Sequence, residues 1–210
     1  AESEIRQAEA EAEVETEAQA EGRRPLGRAD PFSTPGSPTV SHRAVPIPER
    51  IRASCRLDPR GFPITFVTHI HPESGEPNFR VVDRDKALFC IRNRRCGICG
   101  QRLAKSFALV GGPAAVKSRV FSDPAMHFEC ARYALKVCPY LASPRGRHRG
   151  AGDTGPGTVA VPHPLAGDRP EKLAVYVATG YTECQVSAGP DGPVVPALLA
   201  GPPIDVEWHE

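Results

Sequence analysis

Aromatic side chains are scarce in this sequence, 6% of 210 residues, with one tryptophan and one methionine. Little bulky material is available to fill a core, which excludes a large multidomain enzyme and suits one modest domain with appendages. Long apolar runs are missing as well, and no stretch approaches the roughly 20 residues that a spanning helix needs. The N-terminus is acidic where a secretory signal is basic and then apolar, so the expectation is a cytoplasmic protein with no membrane segment. GxSxG, P-loop and Gly-rich dinucleotide motifs are all lacking, which leaves hydrolase, nucleotidase and dehydrogenase readings without a starting point.

Glycine and proline, at 19 and 23 residues, are abundant. Their share falls short of a wholly low-complexity chain but is enough to expect linkers. A net charge of +1 conceals an asymmetry: residues 1–21 hold eight glutamates against the single Arg6, so the rest of the chain carries +8. The Ala/Glu run has almost nothing large to bury and reads as solvated and disordered. The basic remainder admits nucleic acid as a partner.

Composition divides the chain into a disordered leader over residues 1–48, acidic and then Pro-rich, an α+β domain over 49–142, an Arg/Gly/Pro-rich linker over 143–170 and a β-rich segment over 171–210. Within the domain, Phe62, Ile64, Phe66 and Val67 predict a strand, HPESGEP a turn, and Phe79, Val81 and Val82 a return strand. Asp83 is placed to cap a helix through Leu88, Phe89 and Ile91. FALV at 107–110, GGP at 111–113 and Arg119 to Phe121 predict a second antiparallel hairpin. The spacing of His127, Cys130, Ala131, Ala134, Leu135 and Cys138 predicts a helix that stops at Pro139. Near the C-terminus, KLAVYVAT, ECQVS and IDVEW predict short strands at 172–179, 183–187 and 204–208.

Seven cysteines, an odd number in a chain without a secretory signal, argue for thiol or metal chemistry over a disulfide framework. Cys96-Gly-Ile-Cys99-Gly is a knuckle whose glycines let two sulfurs converge on one ion. His127-Phe-Glu-Cys130 places two more donors at positions i and i+3 of a helix start, on one side. Three thiolates and an imidazole favour Zn²⁺ over Mg²⁺ or Ca²⁺. Arg94, Arg95, Arg102, Lys105 and Arg132 are near enough in sequence to offset the residual negative charge. Cys138 is expected in the core, with an alternative ligand role open, and Cys90 as a buried helix residue; Cys55 and Cys184 have no nameable partner. The order of knuckle, hairpin and ligand-bearing helix resembles a treble-clef zinc finger, so the expected fold is α+β: a small treble-clef-like zinc domain with antiparallel hairpins, the disordered leader and a short C-terminal β element.

RRCGICGQRLAKSFALVGGP followed by SDPAMHFECARYALKVCPYL also resembles an uncharacterised family of actinobacteria and their phages, over roughly residues 79–142. The match covers Cys96, Cys99, Gly100, His127, Cys130, Ala131, Tyr133, Ala134, Cys138 and Pro139. Gly97 stands where that family often has an aromatic residue, and Tyr140 replaces its phenylalanine. The resemblance implies a zinc module and no activity.

Two enzyme readings are tested by the residues. His71-Pro72-Glu73 upstream of C-x-x-C faintly echoes the zinc deaminases, but it reads as a turn, Arg95 replaces their proline, and four protein ligands leave zinc no position for water. A His-Asn-His nuclease needs a histidine near its first strand, and residues 107–121 contain neither histidine nor asparagine. The sequence therefore favours a zinc-stabilised, non-catalytic module for an unknown protein partner, with Trp208 among its apolar contacts. The alternative is a nucleic-acid-binding zinc protein using the basic stretches at 92–95 and 145–149.

Overall fold

The computed structural model describes residues 45–142, 169–187 and 194–210. Residues 1–44 of the expected leader, 143–168 of the expected linker and 188–193 lie outside the described residues. The last part of the leader is seen, and it is packed: Val45 and Ile47 lie against the core, just before helix α1 (Glu49–Ser54) buries Ile51.

Strands β1 (Thr68–Ile70) and β2 (Pro77–Val82) pair antiparallel across the HPESGEP turn. The first strand begins six residues later than Phe62 because its expected N-terminal part is used elsewhere. Phe66 and Val67 donate their backbone N–H groups to the carbonyls of Ile98 and Gly97, at 2.8 and 3.2 Å, and so brace the knuckle instead of a ladder. Asp83 caps α2 (Arg84–Arg92) as expected, accepting from the N–H groups of Asp85 and Lys86. Ala87, Cys90 and Ile91 give the helix its buried face.

The expected second hairpin is not formed. β3 (Phe107–Gly111) is followed by a short helix, α3 (Pro113–Ser118), and then β4 (Val120–Phe121), and β3 and β4 pair with different strands. Proline suits the first position of a helix, where its missing N–H would have no partner anyway, so GGP opens α3 where a turn was expected. Gly111 makes the crossing fit: a Cβ there would lie 2.7 Å from the Ala115 Cβ and 2.9 Å from the Phe121 ring. Helix α4 (Phe128–Val137) runs as expected from His127 to Cys138 and gives way at Pro139 to the short α5 (Pro139–Ala142).

The C-terminal strands β5 (Leu173–Ala178), β6 (Tyr181–Ser187) and β8 (Asp205–His209) fall at the expected places, and β7 (Val194–Ala200) is additional. They join the domain strands in two antiparallel sheets of order β3-β5-β8 and β4-β7-β6. Every residue of β5 is buried, as befits a central strand covered on both faces. The register places Leu109, Tyr176 and Val206 on one face, which meets the second sheet through the ring pairs Phe121–Tyr176 and Phe107–Tyr181, each 5.2 Å between centroids. Val110, Val175 and Glu207 share the other face, where Glu207 takes the Arg132 guanidinium of α4. The layers are therefore sheet, sheet and helix, with the core between them. Among the described residues no helix is long and apolar enough to cross a membrane.

Candidate metal centre

Two local structures build the centre, and the chain ties them together. Arg94, at φ 49°, turns out of α2 into the knuckle, where Cys96 N–H bonds the Gln101 carbonyl at 2.8 Å and Gly100 N–H the Cys96 carbonyl at 2.9 Å. Gly100 is required twice over: its φ of +70° is left-handed, and a Cβ there would stand 2.6 Å from the Phe66 ring. Gly97 donates to the Ala125 carbonyl at 3.1 Å, and Met126 exchanges both backbone bonds with Ala108 of β3 at 2.8 Å. His127 is thereby held against the knuckle as α4 begins. A Cβ on Gly97 would meet the Pro124 side chain at 3.2 Å, so any larger residue at that position would have to displace Pro124 slightly.

All four expected donors converge. The sulfurs of Cys96, Cys99 and Cys130 and a ring nitrogen of His127 lie within 4.8 Å of one another, and all four residues are buried. A tetrahedral zinc with Zn–S bonds near 2.3 Å separates its sulfurs by about 3.8 Å, so a set this tight fits one ion. His127 Nδ1 is 3.4 Å from the Cys99 sulfur, while its Nε2 is 3.0 Å from the Arg102 carbonyl. A carbonyl can only accept, so Nε2 carries the proton and Nδ1 presents its lone pair to the cluster, the outer-sphere arrangement typical of metal-bound histidine.

Electrostatics point the same way. Hydrogen bonds from the Cys130 and Cys99 thiols hold the Cys96 thiol far below the ordinary range, and the bond to Cys96 pushes the Cys130 thiol far up. Three sulfurs in one buried sphere cannot all ionise without a counter-charge, and a divalent cation in their midst would supply it. No family model, curated protein or solved structure matches the chain. The site is therefore read from its own geometry.

The remaining cysteines and cations fall into place around it. Cys138 stands outside the cluster, half-buried at the end of α4. Cys90 is buried as expected and donates its thiol to the Cys96 carbonyl at 3.8 Å, and Cys55 donates to the Ile98 carbonyl at 3.4 Å, so two non-ligand thiols brace the knuckle backbone. Burial pushes both up, Cys90 to about 12 and Cys55 to about 11, so they stay protonated. Cys184 sits on β6, opposite Ala197.

Arg50, not singled out by sequence, bridges the knuckle and α4: its Nε bonds Glu129 at 2.6 Å and its Nη1 bonds Gln101 at 2.7 Å. The Glu129 bond raises its pKa, with a smaller contribution from Cys99 and Cys130. Three of the four expected charge-balancing arginines have other contacts. Arg94 lies over the rings of Phe107 and Tyr181, Arg95 over Phe89 with Nη1 on the Gly100 carbonyl, and Arg132 on Glu207. His71 lies in the β1–β2 turn, where Nδ1 accepts from the N–H groups of Glu73 and Ser74, and neither His71 nor Glu73 belongs to the cluster.

Proposed function

We propose that Cys96, Cys99, His127 and Cys130 hold a structural Zn²⁺ and that the chain is a non-catalytic binding module for a protein partner. The convergence of four buried protein donors carries this reading. Zinc suits a three-thiolate, one-imidazole set, and four protein ligands complete its tetrahedron with no place left for a reacting water. Bound there, the ion supplies cross-linking energy in place of chemistry. Knuckle and helix start each contribute two ligands, as in a treble-clef finger, although a strand, helix and strand replace the hairpin between them. The likeness to the actinobacterial and phage family is carried by the same positions and belongs to this proposal.

A protein partner is supported over nucleic acid by how the basic stretch at 92–95 is used. Arg92 pairs with Glu183 at 2.9 Å, and Arg94 and Arg95 lie on aromatic rings, so three phosphate-binding candidates are already engaged. The stretch at 145–149 lies outside the described residues. Exposed apolar side chains on and beside the C-terminal strands, Ile204 at 62%, Val194 at 49% and Trp208 at 46%, offer a protein contact. Native mass spectrometry of the full chain tests the zinc assignment, with one zinc expected in the wild type and none in Cys99→Ser. Salt-dependent binding of a random-sequence duplex at low ionic strength would overturn the preference for a protein partner.

A further inference from the structure

Away from the cysteine cluster, a cleft of about 500 Å³ lies between α4, α5 and β8. Arg132, Lys136 and Arg169 line it together with Glu207 and His209. Its carboxylates are already matched. Glu207 takes Arg132 at 2.7 Å, and Glu210, at the rim, takes Lys172 at 3.6 Å. Lys136 and Arg169 remain. Lys136 makes no ion pair or hydrogen bond among the described residues.

Arg169 is the more telling of the two. It is 8% exposed, yet among the described residues no carboxylate meets it; Nε bonds the Leu141 carbonyl at 2.8 Å, and Nη1 the carbonyls of Pro170 and Glu171 at 3.1 and 3.3 Å. Those dipoles orient the guanidinium without neutralising it, and a buried charge lacking a counter-charge is costly. His209 adds an independent sign. Its Nε2 is buried and makes no hydrogen bond, with the Glu207 carboxylate oxygen at ion-pair distance, 3.3 Å. Buried polar atoms are seldom left so, and one on a cleft wall is a group open to a ligand.

We propose that this cleft binds a small organic oxyanion, a phosphomonoester or carboxylate on a compact apolar body. Arg169 and Lys136 supply the charge, His209 Nε2 a hydrogen bond, and Leu135 and Leu141 the apolar floor. The site is independent of the zinc assignment, since it shares no ligand with the cluster.

Titration of the full chain with inorganic phosphate, phenyl phosphate and benzoate, followed by calorimetry and by amide shifts of residues 135–142 and 205–210, tests the proposal. Phenyl phosphate or benzoate is expected to bind saturably with a dissociation constant near 1 mM or below, and more tightly than inorganic phosphate. The tighter of the two organic probes assigns the headgroup. Lys136→Gln is expected to weaken that binding about tenfold, the loss of one charge-assisted hydrogen bond. Arg169→Gln is expected to abolish it. Because Arg169 also holds the Leu141 carbonyl, Lys136→Gln is the deciding variant. No binding of any probe in this range, or binding that Lys136→Gln leaves unchanged, would overturn the proposal.

Discussion

Around the knuckle the interior consists of three sulfurs and an imidazole, held in place by backbone hydrogen bonds from Phe66, Val67 and Gly97 and by the thiols of Cys55 and Cys90. Between the sheets it consists of carbon: Phe107, Phe121, Tyr176 and Leu198 are all essentially sealed from solvent. One region is organised by convergence on a point, the other by apolar area. A chain with 6% aromatics can fill one small sandwich, and the proposed ion takes over where side chains run out. The two regions meet at α4, which presents Cys130 to the cluster while burying Ala131 and Leu135 against the sheet.

Removing the proposed ion is expected to break this arrangement most severely. A structural zinc is worth about 10–16 kcal/mol apparent, as much as the roughly 5–15 kcal/mol that holds a whole small domain together. Chelation, or Cys99→Ser, is expected to abolish the cooperative melt seen by circular dichroism. Hydrogen exchange should show protection lost at residues 96–103 and, through α4, in β3 and β5 as well. If the sheets keep their protection in a chain verified to be metal-free, the two regions are energetically separate and the coupling through α4 is wrong.

Damage on the carbon side should be smaller and should spare the metal. Leu198→Ala opens a cavity between the sheets and is expected to cost about 2–5 kcal/mol in denaturant unfolding. Metal stoichiometry should remain that of the wild type. A variant that loses both stability and metal would show that the cluster depends on the sandwich, the reverse of the dependence expected. Gly100→Ala tests the knuckle without touching a ligand. A left-handed backbone and a 2.6 Å approach to Phe66 should together cost about 1–3 kcal/mol and weaken zinc in a chelator competition. An unchanged affinity would mean that the turn has no part in organising the sulfurs.

The same contrast decides what could be read from sequence. Both donor pairs were legible because each is local: a turn brings Cys96 to Cys99, and a helix start brings His127 to Cys130, whatever the rest of the chain does. Asp83 as a cap and the stop at Pro139 are local in the same sense. Pairing partners were not legible, since β3 takes β5 from beyond residue 170 and no residue in FALVG names its mate. GGP was misread because the same three residues can close a hairpin or open a helix, and only the packing of Ala115 and Phe121 on Gly111 decides. β7 was missed because Pro196 interrupts VVPALLA. The structure tolerates it because the two-residue β4 pairs only with Leu198 and Leu199, so at Pro196 the far side of β7 needs no N–H for that strand. Arg50 was missed for the plainest reason, lying 79 residues from Glu129.

The smallest expected effect concerns the ion pairs that join the two regions. Arg92 of α2 holds Glu183 of β6, and Arg132 of α4 holds Glu207 of β8. Each arginine's hydrogen bond keeps its partner carboxyl below the ordinary glutamate range. A carboxyl with a depressed folded pKa stabilises the fold above its unfolded value, and that stability fades as pH falls through the folded value. Glu183→Gln with Glu207→Gln should therefore melt slightly below the wild type at neutral pH. The gap should close in acid and shrink with added salt, as expected for exposed pairs. Acid also protonates the cluster's donors, but it does so in both proteins, so the difference between their melting temperatures isolates the carboxylates. A gap that persists at low pH would mean that the substitutions disturb packing.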